Sequence, residues 1–163
     1  MLKSDHLLKL DKDNRQYLAW ELNKLCEFLD ATYNVNCGGC CYVSYLIAKK
    51  LEELGVKYKV IFFDEELEDI KAKDIKDAIK TKNLNHIGCG DFTCNHYAIV
   101  IDDQIVNGGA YEGEANLKVA ITSKELQWIY KTGDWNDTYN IGLNAILRNY
   151  INTFFNAFKI QIL

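Results

Sequence analysis

The sequence contains no proline, and no stretch rich in proline, glycine or serine interrupts it. Linkers between domains usually have such compositions. No period of about 20 to 50 residues recurs, which argues against a repeat architecture. Since 163 residues are enough to bury a hydrophobic core without disulfides or metals, we expect residues 1–163 to form a single globular domain.

Long apolar runs are also missing. None approaches the roughly 20 residues that a helix needs to cross a bilayer, and residues 1–11 lack the apolar region of a signal peptide. These absences predict a cytoplasmic protein with no membrane partner. Neither charge dominates, because 19 basic residues are interspersed with 23 acidic ones for a net charge of −4. This balance argues against nucleic acid as a partner.

Six cysteines are present, which is many for a chain of this length. In a secreted protein they would suggest two or three disulfides. In a reducing compartment, cysteines are instead free, catalytic or metal-binding. The cytoplasmic expectation therefore favours thiol chemistry over a disulfide framework.

Hydrophobic periodicity predicts an order of helices and strands. Apolar residues three and four apart predict helices over residues 14–32, 40–54 and 65–82, and Gly55 is expected to end the second of these. The capping-box spacing of Thr122 and Glu125 predicts a short helix through Trp128, and a longer helix is expected over 138–158. Runs of β-branched and aromatic residues predict strands over 56–63, 96–101, 104–108 and 117–121. Helices that stand apart from a sheet of this kind make an α+β domain.

Cys40 is predicted to lie in the first turn of the second helix, directly after Gly38 and Gly39. A helix amino terminus favours the thiolate over the thiol because of its unpaired N–H groups and its dipole. Glycines there allow a substrate to approach the backbone closely, and the N–H groups are candidate oxyanion donors. Cys40 is therefore the candidate nucleophile, although a small buried hydrophobic residue is the alternative role for such a cysteine.

Of the three histidines, His96 is the best placed to act as the base, because it begins a predicted strand. If Asp102-Asp103 forms an even-numbered hairpin loop, Ala98 lies opposite Asn107, and Asn107 becomes a diagonal neighbour of His96. Asn107 could then orient the imidazole, because this role needs only a hydrogen-bond acceptor. Asn107 begins an Asn-Gly-Gly run, however, which is equally typical of a plain turn.

Cys41 competes with Cys40 for the role of nucleophile. Consecutive helical residues are about 100° apart around the axis, so both thiols cannot face one base. We expect Cys41 to be buried and Cys40 to react.

The segment around Cys40 resembles the papain-like superfamily in its broad sense. The run Cys37-Gly38-Gly39-Cys40 is similar to the Cys-Gly-x-Cys segment that opens the central helix of papain-like peptidases. Asn34 occupies the position of their oxyanion-hole glutamine, six residues before the nucleophile.

A second resemblance, to transglutaminase-like proteins, selects the same cysteine. In those proteins a Gly-x-Cys segment is followed by an apolar helix, a Leu-Gly-Ile segment and a strand. Here Gly38-Gly39-Cys40 matches the first segment and Leu54-Gly55-Val56 the second. A histidine and a hairpin follow in that family, as in residues 96–107 of this sequence. Both resemblances cover roughly residues 34–108. Beyond them, Trp128 and Trp135-Asn136-Asp137 resemble uncharacterised phage-encoded members of the superfamily.

The resemblance implies a papain/transglutaminase-like core, in which the nucleophile-bearing helix packs on an antiparallel sheet with flanking helices. It also implies a cofactor-free thiol hydrolase or acyltransferase. Cys40 would attack a carboxamide or ester carbonyl of a protein, a peptide or a small acyl donor, and His96 and Asn107 would complete the triad. Asn34 would bind the oxyanion. The thioester would be released to water, as in a cysteine peptidase, or to an amine, as in a transglutaminase.

Two further classes of function are open. His86, Cys89, Cys94 and His96 lie within eleven residues and could bind a structural zinc ion, although their spacing is irregular. The fold could also serve as a catalytically silent module that binds a peptide. The sequence leaves the substrate and the oligomeric state open.

Overall fold

A computed structural model describes residues 10–35, 39–64, 72–81, 95–106, 118–132 and 141–162. These residues form five helices and four strands. The helices are α1 (Lys12–Tyr33), α2 (Cys40–Glu53), α3 (Ala72–Thr81), α4 (Ser123–Thr132) and α5 (Ile141–Ile162). The strands are β1 (Lys59–Asp64), β2 (Asn95–Ile101), β3 (Gln104–Val106) and β4 (Lys118–Val119).

The strands form one antiparallel sheet in the order β3-β2-β1-β4. The α+β prediction is therefore confirmed at this level. Val60 pairs with Ile99 in β2 and with Val119 in β4, and Ile99 also pairs with Val106 in β3, so β1 and β2 are the central strands. Both faces of the sheet are covered here, because Val60 and Ile61 in β1 and Tyr97 through Ile101 in β2 are all buried.

Helix α2 is the central helix of the molecule. It packs on β2 and against α4 and α5, and Cys40 through Ala48 are all buried. The apolar stripe predicted a helix with one buried face. A helix surrounded by other elements is instead buried on all sides, which explains why even Ser44 is covered.

Glycine ends α2 as the sequence predicts. Gly55 has a φ of 71° and donates its N–H to Glu52 O at 3.1 Å, while the Val56 N–H donates to Leu51 O at 2.9 Å. This pair of hydrogen bonds is the Schellman motif. Because the motif occupies Val56, β1 begins at Lys59 rather than at residue 56 as predicted.

The Thr122 side chain caps the amino end of α4, at the place that the capping-box spacing of Thr122 and Glu125 predicts. The Thr122 hydroxyl accepts from the Glu125 N–H at 3.2 Å and donates to the Glu125 carboxylate at 3.0 Å. The prediction that α4 ends near Trp128 is wrong, because Ile129 and Tyr130 are buried and extend it to Thr132. The predicted strand 117–121 is shorter than expected, since ladder pairing stops at Val119.

Of the remaining helices, α5 ends later than predicted, and the predicted helix over 65–82 lies partly outside the described residues. Helix α5 continues beyond residue 158 to Ile162. Of the predicted helix 65–82, the structure describes α3, and the rest lies outside the described residues. Within the described part of the chain, no helix combines the length and apolarity needed to cross a bilayer.

Candidate active site

Cys40 is the first residue of α2, and 6 % of its surface is exposed. The residue before it, Gly39, is the N-cap and has no side chain with which to accept from the first-turn N–H groups. The Gly39 N–H donates to Val35 O at 2.8 Å, and Gly39 O accepts from the Val43 N–H at 3.1 Å. Cys40 therefore lies at the amino end of α2, which is the positive end of the helix dipole.

The side chains of α2 divide among its neighbours by helical position. Ser44 lies one turn after Cys40, and its Oγ donates to Tyr97 O in β2 at 3.1 Å. Cys41 is fully buried, and its Sγ lies 3.9 Å from Leu126 O in α4. Because residues four apart share a helix face, Cys40 lies on the face that meets the sheet and Cys41 on the face that meets α4. The expectation that Cys41 is buried is confirmed.

Helix α2 and strand β2 run in the same direction. A short connection leads from α2 into β1, so β1 runs back along α2, and β2 is antiparallel to β1. The Ser44–Tyr97 hydrogen bond fixes the relative height of α2 and β2. The amino end of α2, with Cys40, and the amino end of β2, with His96, therefore lie at the same end of the sheet.

His96 is the second residue of β2 and pairs with Phe63 of β1. Its backbone is described, but its side chain lies outside the described part of the structure. Along the rest of β2, Tyr97, Ile99 and Ile101 belong to the core cluster that contains α2. Strand alternation assigns the residues between them to the opposite face.

The hairpin that leads towards Asn107 has a two-residue loop, which is even-numbered as the prediction for Asn107 requires. Ile101 pairs with Gln104 and Ile99 with Val106, and Asp102 adopts a left-handed conformation with φ 52°. This is the even-numbered register on which the prediction for Asn107 depends. Asn107 itself, together with Cys37, Gly38, His86, Cys89 and Cys94, lies outside the described residues.

Asn34 has a clear structural role. It is the C-cap of α1, with φ 55° and ψ 44°, and its N–H donates to Asp30 O at 2.8 Å. Asparagine tolerates this left-handed conformation better than most residues. Its side chain is exposed. The need to end α1 accounts for an asparagine here, and its oxyanion role stays a prediction.

Beside Cys41, three tyrosines from α2 and α4 pack together. The Tyr42 and Tyr45 rings each lie 4.9 Å from the Tyr130 ring, centroid to centroid. The Arg148 guanidinium donates to the Tyr42 hydroxyl at 3.1 Å. Burial is the main reason that the pKa of Tyr130 rises to about 12. The Tyr42 and Tyr130 hydroxyls therefore stay protonated at neutral pH, and the ring cluster packs α2 against α4.

A cleft of about 740 Å³ lies at the opposite end of α2 from Cys40. Its lining includes Val56, Tyr58, Val100 and Ile121. The cleft does not contain Cys40, so it does not support the assignment of the nucleophile. Among the described residues, no three His, Cys, Asp or Glu side chains form a group suited to a metal ion.

Sequence reasoning missed Ser44. Its signal was present, because Ser44 is the polar member of a helix stripe that otherwise contains Cys40, Ile47 and Leu51. Comparison of the chain with protein-family models, with curated proteins and with solved structures finds no match.

Proposed function

We propose that this protein is a thiol-dependent hydrolase or acyltransferase with a papain/transglutaminase-like core. In this proposal Cys40 is the nucleophile, His96 the base, Asn107 the residue that orients it, and Asn34 an oxyanion donor. The substrate is a protein, a peptide or a small acyl donor.

The observation that carries the proposal is the shared polarity of α2 and β2. Helix α2 starts at Cys40, β2 bears His96 near its start, and Ser44 ties these two ends together through Tyr97. A helix start favours thiolate, and a histidine held near it can accept the thiol proton. The attack of the thiolate on a carbonyl carbon would form a thioester and expel the amine or alcohol, which takes up the proton from the imidazolium.

The proposal places a requirement on the first residues of β2. Ala98 and Val100 alternate with Tyr97 and Ile99, which face the core shared with α2. The register of β2 with β1 is regular through Phe63–His96 and Asp64–Asn95, so alternation groups position 96 with Ala98 and Val100. The proposed pair therefore requires the His96 side chain to turn round the end of the strand towards Cys40. A test of the dependence of Cys40 on His96 is thus also a test of the local geometry of the strand.

Alkylation with iodoacetamide at a series of pH values tests the proposal without a known substrate. Each cysteine is followed by peptide mass spectrometry, and the midpoint of the rate against pH is read rather than the absolute rate. We expect the Cys40 midpoint to lie well below pH 8.5, the ordinary value for a thiol, and to move towards that value in His96→Ala.

Cys41→Ser serves as the matched control, because it removes the neighbouring thiol and should leave the Cys40 profile unchanged. A parallel sample with chelator tests the zinc alternative, in which Cys89 and Cys94 become reactive only after metal removal. An ordinary Cys40 midpoint that does not change in His96→Ala would rule out the thiol-enzyme assignment.

A further inference from the structure

Ser44 provides a buried hydroxyl on the face of α2 that packs on the sheet. Only 4 % of its surface is exposed, and its Oγ donates to the main-chain oxygen of Tyr97 at 3.1 Å. A buried hydroxyl must have a hydrogen-bond partner, whereas alanine at this site would need none. The serine is therefore a specific link between α2 and β2 rather than a simple space-filling residue.

The Ser44–Tyr97 hydrogen bond lies close to both members of the proposed catalytic pair. Ser44 lies four residues after Cys40, a rise of about 6 Å along the helix, and on the same helix face. Tyr97 directly follows His96 in β2. One end of the hydrogen bond thus lies one helical turn from Cys40, and the other end belongs to the residue next to His96.

Hydrogen bonds restrain the helix in a way that apolar contacts do not. Apolar packing is non-directional, so it tolerates a small slide of a helix along a strand. A hydroxyl-to-carbonyl bond has a narrow range of distance and angle. The Ser44–Tyr97 bond therefore sets the height of α2 relative to β2 at the end that bears Cys40.

We propose that Ser44 is a positioning residue that sets the separation of the Cys40 thiol from His96 through the main chain of Tyr97. The inference rests on the proposed function. Ser44 does not contact the substrate, and it takes no proton in the reaction. Its effect is on how readily His96 accepts the proton of Cys40.

The test is the pH profile of Cys40 alkylation by iodoacetamide in the full-length chain carrying Ser44→Ala. The expected result is a midpoint shifted towards that of His96→Ala, with a rate at neutral pH lower on the order of tenfold, since a misplaced catalytic group loses rate steeply with distance. Urea denaturation of the same samples shows how much of the change is global unfolding.

Ser123→Ala is the matched control. Its hydroxyl donates to the Glu52 carboxylate at 2.7 Å, so the variant deletes a hydroxyl that tethers the opposite end of α2. We expect this variant to keep the wild-type Cys40 profile. Equal profiles in Ser44→Ala, Ser123→Ala and the wild type would overturn the positioning role.

A pair of isosteric variants keeps the test decisive if Ser44→Ala does not fold. Ser44→Thr and Ser44→Val have the same shape and differ in the hydroxyl, so threonine should preserve the midpoint and valine should shift it. Equal midpoints in the two would overturn the inference. If His96→Ala leaves the Cys40 midpoint at its wild-type value, the proposed function and the inference are both overturned. If His96→Ala shifts the midpoint but Ser44→Val does not, the inference alone is overturned.

Discussion

Individual residues of similar chemistry occupy different environments in this protein. Cys40 begins α2, whereas Cys41 is fully enclosed against α4. Cys26 packs at the edge of the core, and burial of its thiol raises its pKa to about 12. Because only the thiolate is alkylated efficiently, we expect Cys26 to react slowly. We expect Cys41 to react slowly because it is fully buried, so both cysteines serve as internal references for Cys40.

Glu52 shows how one carboxylate in α2 can bind both α4 and the connection that precedes β1. It accepts hydrogen bonds from the Tyr58 hydroxyl at 2.7 Å, from the Ser123 hydroxyl at 2.7 Å and from the Ser123 N–H at 3.3 Å. Partial burial by itself raises its pKa, but the hydrogen bonds from Ser123 and Tyr58 outweigh burial and lower the pKa of Glu52 below its usual value.

A depressed folded-state pKa makes the contribution of Glu52 dependent on pH. The stabilisation is present above the unfolded pKa of about 4.3 and is lost as the pH falls through the folded pKa. We expect Glu52→Gln to be less stable than the wild type at pH 7 by about 1 kcal/mol at most, because the carboxylate is largely exposed. Urea denaturation at pH 7 and at about pH 3 should show this difference shrinking on acidification. A difference that grows at low pH would contradict the assignment.

At the scale of elements, the end of α2 depends on a backbone conformation that glycine adopts without strain. Gly55 has a φ of 71°. We expect Gly55→Ala to destabilise the fold by about 1–2 kcal/mol, because a side chain in the left-handed region meets the following carbonyl oxygen. The midpoint of urea denaturation, followed by circular dichroism, measures this loss.

Gly142 provides a control in which a glycine-to-alanine substitution should not reduce stability. It lies in the first turn of α5, and a Cβ added there meets no atom within 4 Å. Since alanine favours helix more than glycine does, Gly142→Ala should be neutral or stabilising by about 0.5–1 kcal/mol. A loss of stability in Gly142→Ala equal to that in Gly55→Ala would show that φ is not the cause.

The described part of the molecule is built around one buried cluster that includes residues from all five helices and from β1, β2 and β3. Phe155 of α5 is fully buried within this cluster. We expect Phe155→Ala to reduce the free energy of unfolding by about 3–5 kcal/mol, through lost burial and the cavity that remains. This is a large part of the roughly 5–15 kcal/mol that stabilises an ordinary domain.

Ile160→Ala provides the comparison for this core variant. Ile160 lies on the same helix, and 74 % of its surface is exposed. Substitutions at such positions usually change stability by less than about 0.5 kcal/mol. Equal losses from Phe155→Ala and Ile160→Ala in urea denaturation would mean that α5 is not docked on the cluster as described.

Several features could be predicted from the sequence because their causes are local. The three-and-four spacing of apolar residues marked α1 and α2, Gly55 marked the end of α2, and Thr122 with Glu125 marked the start of α4. The Asp102-Asp103 pair marked a hairpin with an even-numbered loop, and the two-residue loop that forms there sets the register of β2 and β3. Each signal acts within a few residues of the structure that it specifies.

Other features depend on residues that are distant in the sequence. Burial on all sides of α2, the extension of α4 through Ile129 and the bond between Ser44 and Tyr97, 53 residues away, arise only when separate elements pack together. Periodicity identifies an apolar face but not the element that covers it. The sequence alone thus identified Cys40 as a helix-start cysteine, whereas tertiary packing placed it at the end of the sheet that bears His96, because the relative direction of a helix and a strand is set by the chain that connects them.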